Sequence, residues 1–143
     1  MNKTEKPVLQ AFHIEGVKHI LPEEAFRLLE EKEAILIDVR EKYEVVMEYL
    51  PMDRVLNHPL SVIMERLNFI PKDQKIVVAC PGGVRSTKVA NMLNHQGYPD
   101  VFNLDGGFDA WITRGLPWEG TRVDSGGCGC GCNTSSPGNN SCC

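Results

Sequence analysis

The chain has 143 residues, 42% of them hydrophobic and 24% charged, with a formal net charge of −4 at pH 7. That length suits one globular domain, the acidic balance argues against a surface built for nucleic acid, and the lack of any long apolar run argues against a membrane span. The polar start, Met1-Asn2-Lys3-Thr4-Glu5-Lys6-Pro7, leads into no sustained apolar stretch, so no secretory leader is expected and the cytoplasm is the default compartment.

The first dozen residues carry no pattern that predicts an element. Pro22-Glu23-Glu24 opens the first predicted helix, with proline and acids in the first turn, and Ala25, Phe26, Leu28 and Leu29 continue it. Ala34-Ile35-Leu36-Ile37-Asp38-Val39 is a continuous apolar run of the kind a strand buried on both faces requires. Asp38, Arg40 and Glu41, at and just past its end, are read as a structural ion pair and a helix cap rather than as substrate contacts. Leu60, Ile63, Met64 and Leu67 recur at helical spacing. Lys75 to Cys80 is a second buried strand. Arg85 to Gln96 is a helix with Val89, Met92 and Leu93 on one face and Gly97 as its stop. Asp100 to Leu104 is a third strand, and Phe108 to Thr113 a last short helix with Phe108 and Trp111 facing the core. Gly106-Gly107 lets that helix start close to the sheet. Such alternation predicts an α/β sandwich with a mainly parallel central sheet.

The composition shifts near Val123. From Asp124 to Cys143 there is no Leu, Ile, Val, Phe, Tyr or Trp. Such a segment has little to bury against its ordering entropy. The folded domain is therefore placed at residues 8–122 and a flexible Gly/Ser/Asn/Cys-rich tail at 123–143. Five of the six cysteines (Cys128, Cys130, Cys132, Cys142 and Cys143) fall in this tail, and Cys80 alone in the body. One body cysteine makes no internal disulfide framework, so reactive or metal-binding thiols are the better reading.

The stretch Cys80-Pro81-Gly82-Gly83-Val84-Arg85-Ser86 carries the chemistry. Cys80 ends a buried strand, and in open parallel sheets ligands bind beyond the carboxyl ends of strands. Gly82 and Gly83 allow successive N–H groups to turn toward one point, and the helix that follows adds its own unpaired amides. The result is an anion cradle with a sulfur at its base, suited to a thiolate or to a persulfide one sulfur longer. Arg85 is placed to hold the anionic part of a donor. Ser86 is read first as a helix cap and second as a donor to the bound sulfur. Four residues separate Cys80 from Arg85, one fewer than in cysteine phosphatases of the tyrosine phosphatase kind, which disfavours a phosphoryl substrate.

Residues 17–118 resemble a single-domain rhodanese. Three blocks carry the resemblance: Leu36-Ile37-Asp38-Val39-Arg40-Glu41, the Cys80–Ser86 loop, and Val101-Phe102-Asn103-Leu104-Asp105-Gly106-Gly107-Phe108-Asp109-Ala110-Trp111 with Gly115-Leu116-Pro117. The resemblance implies a three-layer sandwich around a five-stranded parallel sheet. It also implies a two-step reaction without a cofactor: Cys80 takes a sulfane sulfur from a small-molecule donor such as thiosulfate and passes it to a thiol, cyanide or protein acceptor. The loop amides, Pro81 excepted, would cradle the sulfur. Residues 44–60 depart from the family pattern until Asn57-His58-Pro59-Leu60, so the loop beside the site is expected to be reshaped. The four histidines match no metal spacing and receive no chemistry. The tail thiols suit either a soft metal such as Cu(I) or Zn(II), or a tethered sulfur acceptor. The competing readings are a catalytically weak carrier of sulfur or soft metal that uses the tail, and a small cysteine phosphatase.

Overall fold

The computed structural model describes residues 3, 4 and 6–120; the tail expected at 123–143, with its five thiols, lies outside the described residues. In chain order the elements are strand Lys3–Thr4 (β1), strand Lys18–Ile20 (β2), helix Pro22–Glu30 (α1), strand Ala34–Asp38 (β3), helix Lys42–Val45 (α2), strands Glu48–Tyr49 (β4) and Val55–Asn57 (β5), a 3-10 helix Ile63–Phe69, strand Lys75–Ala79 (β6), helix Val84–His95 (α3), strand Val101–Leu104 (β7), helix Gly107–Thr113 (α4) and strand Glu119–Gly120 (β8).

The three apolar runs form the middle of the main sheet, whose order is β1-β2-β7-β6-β3-β5. From β2 to β5 all neighbours are parallel, and β1 adds an antiparallel edge. Leu36 pairs with both Val55 and Val77, and Val77 with Phe102, so one register runs through the centre. Alternate residues of these strands feed opposite faces, as the period of a strand demands. Ile35, Ile37, Ile76 and Val78 pack with Val89 and Leu93 of α3 and Ile63 of the 3-10 helix. Leu36, Val77, Phe102 and Leu104 pack with Leu28 of α1 and Phe108 and Trp111 of α4. The molecule is thus a three-layer α/β sandwich, with each fully buried large side chain contributing roughly 1.5–3 kcal/mol.

The helical spacing at Leu60–Leu67 becomes a 3-10 helix shifted to Ile63–Phe69. Within it only Ile63 is buried, while Met64 and Phe69 are exposed. There is no wide apolar stripe to select an α-helix, and the bonds closing this segment span three residues, as from Glu65 N–H to Val62 O (3.0 Å). The ion pair and cap expected after β3 are present. Buried Arg40 is bonded to buried Asp38 (Nη2 to Oδ2, 2.9 Å), and Glu41 is the N-cap of α2, its amide donating to Glu44 Oε1 at 2.9 Å. No helix among the described residues is long and apolar enough to cross a membrane.

Candidate active site

β6 delivers Cys80 to the carboxyl edge of the sheet at its centre, between β3 and β7. The chain then turns through Gly83, whose φ of +94° makes it the left-handed N-cap of α3. That turn bends the loop back over the sulfur. Cys80 Sγ accepts the N–H of Gly83 at 3.1 Å and the N–H of Ser86 at 3.3 Å, and Cys80 is 1% exposed. The N–H groups of Val84 and Arg85 lie in the first helical turn, where no carbonyl four residues back within the helix can take them. They bond to no described group, and two donors of the turn are left beside the two that already hold the sulfur. Gly82 is exposed, and Val84 is 43% exposed. Both border an open groove of about 640 Å³ whose other walls include Leu9, Phe12 and Ala110.

Ser86 is not a cap. Gly83 holds that position, and the Ser86 hydroxyl instead lies between Cys80 Sγ (3.3 Å) and Asn103 Oδ1. The reason is the left-handed turn: once Gly83 closes it, Ser86 falls in the first turn of α3, with its side chain directed into the sheet. Arg85 is not free to meet a donor alone. Its guanidinium makes a two-pronged pair with Glu44 of α2 (2.9 and 3.0 Å), which holds the Glu44 carboxyl below the usual carboxylate range.

A polar chain runs inward from the sulfur, and the backbone fixes its direction. Gly106 N–H can only donate, so Gln10 Oε1 is the acceptor at 2.8 Å, while Gln10 Nε2 donates to the carbonyls of Phe12 and Gly83 and to Thr87 Oγ1. Asn103 must then turn its Nδ2 toward Gln10 Oε1 (3.0 Å) and its Oδ1 toward Ser86. The Ser86 proton is committed to Asn103, so its lone pair faces the Cys80 thiol. On the far side Asn103 Nδ2 also donates to His19 Nδ1 (3.0 Å), which leaves the His19 proton on Nε2, bonded to His13 Nδ1 at 2.9 Å. The tautomer follows from this network.

His19 is fully buried, and burial, followed by the neighbouring His13 and opposed by Asp105, pulls its imidazole down to about 4. The folded state keeps His19 neutral where the unfolded chain binds a proton, so stability rises with pH between about 4 and 6.5. The stability is present above pH 6.5 and lost as pH falls through 4. His58, also lowered by burial, adds in the same direction. Denaturant titrations at pH 7 and pH 4 are expected to show a His19 contribution on the order of 3 kcal/mol. A His19→Gln variant should show a shallower pH slope; an unchanged slope would contradict the buried neutral assignment.

The loop is fixed from behind by α4. Phe108 N–H donates to Cys80 O (2.9 Å) and Asp109 N–H to Pro81 O (3.0 Å). Asp105 pins the N-terminal segment across this end by accepting from Val8 N–H (2.8 Å) and Leu9 N–H (3.0 Å). Of the residues expected at the site, the structure gathers Cys80, Gly83 and Ser86 around the sulfur, places Arg85 beside it, and leaves Gly82 and Val84 at the rim. Gln10, Asn103, His19 and Glu44 were not expected there. A polar residue inside the apolar strand Val101-Phe102-Asn103-Leu104 was a signal for Asn103; nothing in the sequence marked Gln10.

The domain is of the parallel-sheet α/β class, with a buried cysteine held by backbone amides at the carboxyl edge of its sheet. A sequence model of the rhodanese-like domain matches residues 21–114. A sulfurtransferase of Allochromatium vinosum is 37% identical over 91 residues, covering 64% of this chain and 83% of that protein. The thiosulfate sulfurtransferase GlpE of Vibrio cholerae is 32% identical over 102 residues, covering 71% of this chain and 93% of GlpE. The crystal structure of a rhodanese-like domain protein from Staphylococcus aureus superposes with a TM-score of 0.61 at 35% identity, covering 73% of this chain and 98% of that one. The chain belongs to the rhodanese-like family.

Proposed function

We propose that this chain is a sulfurtransferase that works through a persulfide on Cys80. In the first step the Cys80 thiolate attacks the sulfane sulfur of a donor such as thiosulfate. The donor S–S bond breaks, sulfite leaves with the electron pair, and Cys80–S–S⁻ remains. In the second step a thiolate or cyanide attacks the outer sulfur, and Cys80 leaves as thiolate. The carrying observation is the pair of N–H bonds from Gly83 and Ser86 to Sγ. They favour negative charge on that sulfur, and the Val84 and Arg85 amides supply donors for the next sulfur outward. The names of the Allochromatium vinosum and Vibrio cholerae relatives support the same reading. The short Cys80–Arg85 interval weighs against a phosphatase. Thiosulfate-to-cyanide turnover is expected in the full chain and should fall by at least roughly a thousandfold in Cys80→Ser. Retained turnover in that variant, or aryl phosphate hydrolysis by the wild type in place of sulfur transfer, would overturn the reading.

The loop's own cation for the donor's sulfonate end is Arg85, and Glu44 already holds it. Thiosulfate must therefore share Arg85 with a carboxylate. Glu44→Gln removes that competition, and KM for thiosulfate is expected to fall about two- to fivefold, the scale of a partly exposed ion pair. Turnover from an uncharged persulfide donor should change little. A rise in KM for thiosulfate would show that Glu44 serves only to orient Arg85.

A further inference from the structure

Asn103 and Ser86 are fully buried, and the described residues offer Asn103 Oδ1 one donor, the Ser86 hydroxyl. The amide cannot turn to find another. Its Nδ2 is tied on two sides, to Gln10 Oε1 and to His19 Nδ1, both at 3.0 Å, and Gln10 Oε1 is itself fixed by Gly106 N–H at 2.8 Å. The hydroxyl has a second place for its proton, since Cys80 Sγ lies 3.3 Å away. While Cys80 is a thiol it can donate to Ser86 Oγ, and nothing competes with Asn103. As a thiolate it becomes an acceptor, and a hydrogen bond to an ionised group is roughly twice as strong as a neutral one. A swing of the proton to the sulfur would leave Asn103 Oδ1 buried without a donor, and the penalty for a stranded buried acceptor offsets that gain.

We infer that Asn103 is a positioning residue that holds the Ser86 hydroxyl proton away from Cys80 Sγ throughout the reaction. The inference rests on Cys80 as the nucleophile proposed above. The thiolate then keeps two donors, the N–H groups of Gly83 and Ser86. A third donor would stabilise the thiolate and blunt its attack, because a thiolate loses nucleophilicity as it is made more stable. That donor would also be left behind in the persulfide, where the charge sits on the outer sulfur and the inner one is a weak acceptor. With its proton on Asn103, Ser86 has nothing to lose when the charge moves outward toward the Val84 and Arg85 amides.

Asn103→Leu keeps the bulk of the side chain but neither accepts nor donates, so it releases the Ser86 proton to the sulfur. The full-length chain is alkylated with iodoacetamide, and the rate at Cys80 is read from the tryptic peptide 76–85, which holds no other cysteine. The charged and titratable groups on the elements around the sulfur are Arg85 of α3 paired with Glu44 of α2, Asp38 and Arg40 paired with each other after β3, Asp105 after β7, Asp109 of α4, and His19 of β2 behind Asn103. Rates are read above pH 6.5, where His19, lowered to about 4 by burial, stays neutral. Asn103→Leu is expected to react faster than wild type at the foot of the pH–rate profile and about three- to tenfold slower on its plateau, so that the two curves cross. Adding Ser86→Ala should undo the crossing, which a purely structural loss at Asn103 would not allow. An unchanged curve, one scaled by a single factor at every pH, or a crossing that survives Ser86→Ala would overturn the inference. Should Asn103→Leu fail to fold, Ser86→Ala alone decides. A curve slower than wild type at the foot and faster on the plateau would put the hydroxyl proton on the sulfur already and overturn the inference; a curve that never crosses the wild type's supports it. Alkylation needs no sulfur donor, so a chain whose Cys80 gains no sulfur from thiosulfate would overturn the sulfurtransferase reading and leave this result standing.

Discussion

Gly107→Ala is expected to cost on the order of 4 kcal/mol of stability and to disable the cysteine loop with it. Gly107 has a φ of +67°, and a Cβ there would lie 2.2 Å from Cys80 O and 2.4 Å from Pro81 O. These are the carbonyls that accept from Phe108 and Asp109 at the start of α4. The methyl group therefore pushes apart the two elements that its neighbours tie together. About 1–2 kcal/mol arises from the left-handed backbone, about 1 kcal/mol from each weakened hydrogen bond, and the rest from displaced backbone. Gly82→Ala is the control. A Cβ at Gly82 meets nothing within 4 Å and its φ is not positive, so that variant should stay within about 0.5 kcal/mol of wild type. Urea midpoints compare the two, and a Gly107→Ala protein as stable as Gly82→Ala would show that the α4 contact does not hold the loop.

Asp38→Ala is expected to cost about 3–5 kcal/mol, because it strands a buried cation. Arg40 is 2% exposed, and its Nε and Nη2 bond to the Asp38 carboxylate at 3.0 and 2.9 Å. Without that carboxylate the guanidinium keeps the Glu48 carbonyl, a carboxylate oxygen of Glu48 at 3.9 Å and the face of Phe108. The damage should spread to the ribbon that Arg40 holds. Joint replacement, Asp38→Ala with Arg40→Met, removes the stranded charge and should cost less than Asp38→Ala alone. Denaturation of the three proteins measures this; a double variant less stable than the single one would refute the stranded-charge account.

The central strands were legible because β3, β6 and β7 are buried on both faces and so read as unbroken apolar runs. β2 and β5 were not, since three residues carrying His19 or Asn57 show neither a run nor an alternation. The loop was legible from its glycines, since a strand that ends in cysteine and turns through glycine into a helix has few other conformations. Its supports were not. Gln10 and Asn103 are joined across 93 positions and Glu44 and Arg85 across 41, and no local pattern encodes such a meeting. Ser86 shows how a local rule yields to the turn beside it: serine near a helix start reads as a cap, but the left-handed Gly83 takes that place and turns the hydroxyl to the sulfur and Asn103.

In the proposed reaction the cradled sulfur of Cys80 carries a second sulfur. Mass analysis of the tryptic peptide 76–85, which carries Cys80 alone, after a short exposure to thiosulfate decides the matter. A gain of one sulfur atom on Cys80 that added cyanide removes is expected, and none in Cys80→Ser. A Cys80 peptide of unchanged mass, in a chain that still converts thiosulfate and cyanide, would contradict it.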